Sequence, residues 1–97
     1  MKLSEKAYKL VKKIPKGKVT SYGIIARKLN TSARAVGQIM KRNIYKDVPC
    51  HRVIMSNGSI GGFKGNHQKE KINLLKREGI KIEKGKISKR FFYYFNS

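Results

Sequence analysis

Apolar residues recur in the first part of the chain with the spacing of amphipathic helices. The first stripe predicts a helix that ends at the Pro15-Lys16-Gly17 turn, and it consists of Leu3, Ala7, Leu10, Val11 and Ile14. The second stripe consists of Tyr22, Ile25, Ala26 and Leu29. The third consists of Ala33, Val36, Gly37 and Met40. The pattern therefore predicts three short helices, each with one inner face.

The breaks between the stripes carry side chains that begin helices. Ser21 precedes the second stripe and Ser32 precedes the third, and a serine hydroxyl can accept a hydrogen bond from a free backbone amide there. Residues 30–32 make a turn of about three residues between the two helices, which is typical of a helix-turn-helix. Val19 and Thr20 predict a short extended stretch just before Ser21.

The second half of the chain changes to short apolar runs separated by turn residues. Residues 43–49 indicate a loop, and residues 53–60 predict a β-hairpin about Asn57-Gly58. A glycine-rich loop follows at residues 61–65.

A fourth helix is predicted between an Asn66 cap and a Gly79 stop, with Ile72, Leu74 and Leu75 inside. Residues 80–87 indicate a terminal hairpin, and residues 91–95 either form a last strand or lie on the surface. The elements together predict one α+β domain over residues 1–97, mostly helical and winged-helix-like.

The charge balance indicates a polyanionic partner, which the apolar pattern alone does not. Lys plus Arg number 24 against 5 Asp plus Glu, which gives a formal net charge of +19. Basic residues at phosphates release condensed counterions, so nucleic acid is the favoured partner. An anionic membrane surface and a merely lysine-rich proteome are the alternatives. No apolar run approaches the roughly 18 residues of a membrane span, and the N-terminus does not resemble a signal segment.

Cys50 is the only cysteine, so it cannot form an internal disulfide, which suits a reducing interior. It lies in Pro49-Cys50-His51-Arg52, where a fixed backbone and basic neighbours would favour a reactive thiolate. On spacing alone, a cysteine beside a histidine is more often structural. Glu78 stands at the predicted end of a helix, where a carboxylate opposes the helix dipole. It either pairs with His51 or is an ordinary exposed residue.

The helix-turn-helix offers candidate DNA contacts. Arg34 opens its second helix, where base-contacting side chains belong, although it could equally contact a single phosphate. Small neighbours at Ala33, Ala35 and Gly37 would allow close approach to DNA, or would suit helix packing. Tyr22 either belongs to the core or points its hydroxyl to the groove. No metal-ligand spacing, phosphate loop or dinucleotide motif is present, so we expect no cofactor.

These residues together resemble the O6-alkylguanine-DNA alkyltransferase family. The segment Pro49-Cys50-His51-Arg52-Val53 is similar to the active-site signature of the family. Four further matches occur along the chain in the same order as in the family. These are the tyrosine motif Thr20-Ser21-Tyr22, the arginine-finger helix 33–37, the active-site asparagine at Asn43, and the acid in Arg77-Glu78-Gly79.

The resemblance implies a protein that flips O6-alkylguanine from duplex DNA, through the minor groove, and moves the alkyl group irreversibly to Cys50. The catalytic residues that it implies are Cys50, His51, Glu78, Asn43 and Tyr22. The residues implied to face DNA are Ser21, Tyr22, Ala33, Arg34, Ala35, Gly37 and Arg52. The implied alkyl pocket consists of Pro49, Val53, Ser56, Phe63 and Lys64. We expect a cytoplasmic monomer that acts on the chromosome of a prokaryote.

The chain departs from the family pattern in three places. Many members carry a ribonuclease-H-like N-terminal domain, which we expect to be absent here. Ile44 stands where a proline often follows the asparagine, and Phe63 stands where the glycine-rich loop often has a tyrosine. An alkyltransferase-like lesion sensor is the nearest alternative, but such proteins typically carry tryptophan in place of the cysteine. A winged-helix DNA-binding protein without catalysis would leave the signature around Cys50 without a purpose.

Overall fold

The computed structural model describes residues 1–61 and 68–95 of the chain. Helices dominate this part, with two small two-stranded sheets beside them, so the predicted mostly helical α+β class is confirmed. The helices are α1 (Leu3–Lys12), α2 (Tyr22–Leu29), α3 (Ala33–Lys41) and α4 (Gln68–Arg77). The strands are β1 (Thr20–Ser21), β2 (Val53–Ile54), β3 (Ile82–Glu83) and β4 (Lys86–Ile87).

The helix-turn-helix is confirmed, including both of its caps. The Ile24 amide donates to Ser21 Oγ at 3.0 Å, and the Ala35 amide donates to Ser32 Oγ at 3.0 Å. Asn30 ends α2 in the left-handed conformation, with φ of 57°, which asparagine tolerates better than most residues. The chain can therefore reverse direction over residues 30–32 and pack α3 against α2.

The hairpin predicted for residues 53–60 is wrong in its pairing. The turn itself forms, since the Gly58 amide donates to the Met55 carbonyl at 2.9 Å. Strand β2, however, pairs in parallel with β1, with Thr20 opposite Val53. Both β2 residues are fully buried, and they pair with the interior strand just before α2. Across the turn, the Met55 amide donates to the Ser59 carbonyl at 2.9 Å, but β2 itself has no partner there among the described residues.

The end of the chain closes over β1. The predicted terminal hairpin is confirmed as the antiparallel pair β3–β4, and Gly79 ends α4 with φ of +88°. No regular strand forms over residues 91–95: Phe91 ends a short 3₁₀ turn (Lys89–Phe91), and Phe92 makes an isolated parallel bridge with Val19. The Val19 amide donates to the Phe91 carbonyl at 2.9 Å, and the Tyr93 amide donates back to Val19 at 2.6 Å. The Tyr94 side chain nevertheless lies on the surface.

The core consists of two clusters, one among the first three helices and one between β2, α4 and the terminal segment. Two predicted inner residues are exposed, namely Leu3 and Ala33. Both stand at the first residue of their helices, before the first full turn reaches the core. The predicted Asn66 cap and loop residues 62–65 lie outside the described residues. No helix in the described ranges is long and apolar enough to cross a membrane.

Candidate active site and DNA-facing helix

Cys50 lies on a short 3₁₀ turn, Cys50–Arg52, directly before the buried strand β2. Its amide donates to the Val48 carbonyl at 2.8 Å, and the Arg52 amide closes the turn on Pro49 at 3.0 Å. The residue is buried, with 6% of its surface exposed, and lines an open cleft of about 530 Å³ together with Pro49 and His51. The backbone therefore fixes the position of Cys50, which is largely buried in the wall of a cleft that opens to solvent.

Asn43 holds the loop that leads to this turn. It is buried, and its Nδ2 donates to the Val48 carbonyl at 3.2 Å and to the Tyr45 carbonyl at 3.3 Å. Its Oδ1 accepts from the Tyr45 amide at 2.9 Å. The amide side chain thus satisfies three backbone groups between α3 and Cys50, and it fixes the approach of the chain to Pro49.

His51, Glu78 and Arg52 form one hydrogen-bonded network, which we call the Glu78 network. His51 Nε2 lies 2.8 Å from Glu78 Oε2. Arg52 holds the same carboxylate with a fork, from Nε to Oε1 at 2.8 Å and from Nη2 to Oε2 at 2.8 Å. The side chains of the three residues are between 11% and 16% exposed. Of the two interpretations of Glu78 from the sequence, the structure therefore supports pairing with His51.

The electrostatics of the network favour an ionised carboxylate and a neutral imidazole. Burial raises the pKa of Glu78, but hydrogen bonds and charges from Arg52 and His51 outweigh it and hold the pKa below its ordinary value. Burial lowers the pKa of His51, against the opposing effect of Glu78. With Glu78 ionised, Nε2–H of His51 donates to it, which leaves Nδ1 as a proton acceptor.

Arg52 has a different place from the one expected of it. Besides its fork on Glu78, its Nη1 donates to the Ile14 carbonyl at 2.8 Å, just after α1. Three nitrogen atoms of the guanidinium are thus engaged by oxygen atoms of the protein. The side chain ties α1 to the Glu78 network, and this arrangement gives no support to the DNA contact expected for Arg52.

Lys71 is the site residue that the sequence analysis missed. It is fully buried in α4, and its Nζ donates to the Val53 carbonyl at 2.7 Å and lies 5.7 Å from the centre of the Tyr22 ring. Burial lowers the pKa of Lys71 to about 8, although the nearby Cys50 raises it. The signal was its helical spacing, because Lys71 shares a face with Leu75 and Glu78, but 24 basic residues conceal one unusual lysine.

Tyr22 takes the core placement of the two that the sequence left open, and contact of its hydroxyl with the groove stays a prediction. Its ring packs against the core cluster of the first three helices, and burial raises the pKa of its hydroxyl, as does the charge of Cys50. On its other side the ring approaches Gly61, where a Cβ would lie 3.7 Å from the Tyr22 hydroxyl oxygen. Tyr22 therefore stands between the core and the beginning of the glycine-rich loop.

The first turn of α3 faces solvent. Ala33 and Arg34 are exposed, while Ala35 and Gly37 are partly covered. A Cβ built on Gly37 would have no protein atom within 4 Å beyond its own helix backbone and neighbours. Packing therefore does not require a glycine at this position. Ser21, in contrast, is buried and its hydroxyl serves as the α2 cap.

The expected alkyl pocket is brought together only in part. Pro49 lines the cleft of Cys50, and Val53 is fully buried beside Cys50 in the same core cluster. Ser56 is exposed and lines a different pocket with Ser21 and Gly23, because the turn at 55–58 folds towards α2. Its assignment to the alkyl pocket is therefore not supported. Phe63 and Lys64 lie outside the described residues.

Comparisons with known proteins agree on one family. The family model described as the DNA-binding domain of 6-O-methylguanine DNA methyltransferase matches residues 2–80. A methylated-DNA–protein-cysteine methyltransferase of Methanocaldococcus jannaschii is 44% identical over 87 residues, which are 89% of this chain and 51% of that protein.

Two solved structures share the fold over most of this chain. S. pombe Atl1, in complex with damaged DNA containing O6-carboxymethylguanine, has a TM-score of 0.85 at 34% identity and matches over 94% of both chains. The O6-methylguanine-DNA methyltransferase of Pyrococcus kodakaraensis strain KOD1 has a TM-score of 0.74 at 44% identity, over 82% of this chain and 47% of that one. The chain therefore spans about half of these methyltransferases and nearly all of Atl1.

Proposed function

This chain belongs to the 6-O-methylguanine DNA methyltransferase family, and from that premise we propose that it repairs DNA by moving the alkyl group of O6-alkylguanine to Cys50. The observation that carries the proposal is the Glu78 network next to the only cysteine. A neutral, oriented imidazole beside a buried thiol is the arrangement that activates a cysteine nucleophile. The curated methyltransferases are about twice as long as this chain. We therefore propose, in addition, that this chain carries out the whole reaction.

The proposed reaction is one displacement at carbon. His51 Nδ1 accepts the thiol proton of Cys50 through a water molecule, while Glu78 steadies the imidazolium that forms. The sulfur attacks the alkyl carbon, a carbon–sulfur bond forms, and the bond from that carbon to O6 breaks. The guanine leaves as an anion that takes up one proton from water, while the Tyr22 hydroxyl donates a hydrogen bond to it. The His51 imidazolium returns the thiol proton to water, so the protons balance. A thioether sulfur is a poor leaving group, so each chain reacts once.

The DNA part of the proposal rests on α3. The target atom lies within the duplex, so the nucleotide has to be turned out of the stack. Arg34, exposed on the first turn of α3, is proposed to fill the space that the base leaves. Gly37 supports close approach, because nothing inside the protein requires a glycine there. We propose that one monomer binds duplex DNA from the minor-groove side.

Transfer of a radiolabelled methyl group, measured beside a gel-shift titration, tests the assignment. Cys50→Ser is expected to abolish labelling of the protein and to leave DNA binding nearly intact, because the serine hydroxyl is a much weaker nucleophile. Label on the Ser variant would contradict the role of Cys50. If the wild-type protein binds the lesion but acquires no label, the protein is a lesion sensor and not a transferase.

A lesion sensor is the second candidate, and one observation favours it. Atl1, crystallised with O6-carboxymethylguanine DNA, matches over 94% of both chains. The methyltransferase from strain KOD1 matches over only 47% of its own chain. A chain of this size therefore suffices in that relative for a complex with damaged DNA. Cys50 and the Glu78 network favour transfer over recognition alone.

A further inference from the structure

A second pocket, of about 420 Å³, lies between α2 and the end of the chain. One wall consists of Gly23, Ile24 and Arg27 on α2, and the other of Lys89, Phe92 and Tyr94. We call it the tail pocket. None of its lining residues lines the cleft of Cys50, and its second wall lies beyond residues 2–80, the part that matches the family model.

The tail pocket joins cations to an aromatic surface. Arg27 and Lys89 are exposed, and no acidic side chain lines the pocket within the described ranges. Phe92 is buried at its base, whereas Tyr94 leaves 58% of its surface exposed and stacks at a tilt on Phe92, with ring centres 6.5 Å apart. Guanidinium and ammonium groups bind phosphate, and a supported aromatic ring offers a flat apolar surface beside them.

The tail pocket lies along α2, and this position indicates what binds there. In a helix-turn-helix the second helix enters a groove and the first crosses the DNA backbone. Helix α2 is that first helix, and Gly23 and Arg27, one turn apart on it, both line the pocket. A Cβ on Gly23 would lie 2.7 Å from Ser56 Oγ, so the glycine allows the 55–58 turn to lie against α2 and present that hydroxyl to the pocket.

From these observations we propose that the tail pocket is a second DNA contact, which holds the sugar–phosphate backbone of the strand that crosses α2. Arg27 and Lys89 contact phosphates from opposite walls, and the Tyr94 ring packs against a deoxyribose. The C-terminal segment thereby acts as part of the DNA interface. This inference rests on the proposed function only in that the chain binds duplex DNA.

The test measures affinity for a short undamaged duplex as a function of salt, so that no alkyl transfer intervenes. Removing two phosphate contacts with Arg27→Ala/Lys89→Ala should make the log–log salt slope shallower by nearly two, at about 0.9 per contact. The matched control, Lys6→Ala/Lys9→Ala, removes two exposed charges from α1, outside the pocket, and should change the slope by less than half as much. A pocket variant with the wild-type slope, or with no larger change than the control, overturns the proposal.

Tyr94 separates the ring contact from the charge contacts. Tyr94→Ala should weaken binding several-fold without changing the salt slope, whereas Tyr94→Phe, which keeps the ring, should bind like wild type. Equal affinity of Tyr94→Ala and wild type overturns the ring contact. Reaction with free O6-benzylguanine, which needs no DNA, should be unchanged in all these variants, and a slower reaction would instead connect the pocket to the Cys50 site. If wild type fails to react but the slopes change as expected, the proposed transfer fails and the DNA contact stands.

Discussion

Glu78 destabilises the end of its own helix but forms hydrogen bonds with His51 and Arg52. A carboxylate at the C-terminal end of α4 opposes the helix dipole. The Arg52 fork and His51 Nε2 surround that carboxylate, all at 2.8 Å. Arg52 therefore keeps Glu78 ionised and oriented, and Glu78 in turn fixes the tautomer of His51.

Glu78→Gln should slow alkyl transfer at neutral pH. The amide removes the negative charge and leaves only a neutral, weaker hydrogen-bond acceptor, so the effects of Glu78 that raise the pKa of His51 are lost or weakened. The imidazole becomes a weaker base and supports the thiolate less well. The pH profile of the single-turnover rate should move to higher pH in the variant. An unchanged profile would limit Glu78 to a structural role with Arg52.

Lys71 makes the stability of the protein depend on pH. Its pKa is about 8 in the fold, against an ordinary 10.5, so the folded state loses this proton before the unfolded state does. The unfolded state therefore binds more protons between these values, and stability rises with pH across that interval. Below the lower value the lysine is charged in both states, and its full desolvation penalty remains.

Lys71→Met should abolish this rise. Both proteins are compared in a Cys50→Ser background, so that the neighbouring thiol is absent from both. The protein that retains Lys71 should gain stability relative to the Lys71→Met variant between about pH 8 and pH 10.5, by at most about 1.4 kcal/mol per pH unit. Denaturant unfolding at a series of pH values measures the difference. Parallel stability curves for the two proteins would show that Lys71 titrates normally.

The residues of the site differ in how visible they are in the sequence. Glu78 could be singled out because a carboxylate at a helix end, in a chain with only 5 acids, lacks an ordinary reason. Lys71 was harder to single out, because its helical spacing with Leu75 and Glu78 is a weak signal in a chain with many lysines. Only the packing of α4 on β2 buries it. The intramolecular partners of Arg52 could not be predicted either, because Ile14 and Glu78 are both distant from it in sequence.

At the scale of elements, the helices were predictable and the strand pairing was not. Caps and apolar stripes are local properties, and Ser21 and Ser32 cap α2 and α3 as the sequence indicated. The pairing of β1 with β2 joins residues far apart in the chain, which no local pattern encodes. The Asn57-Gly58 turn formed without the expected hairpin, since turn residues determine the turn and not the partner of the strand before it.

Helix α3 carries a glycine that lowers its stability without a packing reason. Glycine within a helix is less favourable than alanine by about 1 kcal/mol. Since a Cβ at Gly37 would meet no protein atom beyond its own helix backbone and neighbours, Gly37→Ala should raise the free energy of unfolding by about 0.5–1 kcal/mol. It should weaken DNA binding at the same time, because the added methyl group would meet the DNA.

Thermal unfolding and a gel-shift titration measure the two effects of Gly37→Ala. Gln38→Ala, at the exposed neighbouring position, is the control and should change both quantities little. Unchanged DNA affinity in Gly37→Ala would place the close approach elsewhere on α3.

At the scale of the whole molecule, charge and chemistry have separate tasks. The net charge of +19 gives a general attraction to DNA that falls steeply with salt, and the same charges repel one another within the compact chain. The buried Cys50 site is where we propose the reaction, and the sequence pointed to it by resemblance rather than by physical pattern. The general attraction would serve a sensor or a transcription factor equally well, so it does not decide between them.

Intact-mass measurement of the protein after titration with excess O6-methylguanine duplex distinguishes alkyl transfer from recognition alone. Single-use transfer to Cys50 requires that each chain gains one methyl group in place of one hydrogen, at Cys50, and that the number of lesions repaired equals the number of chains. A chain that binds the duplex without gaining mass, or that repairs more lesions than there are chains, would contradict it.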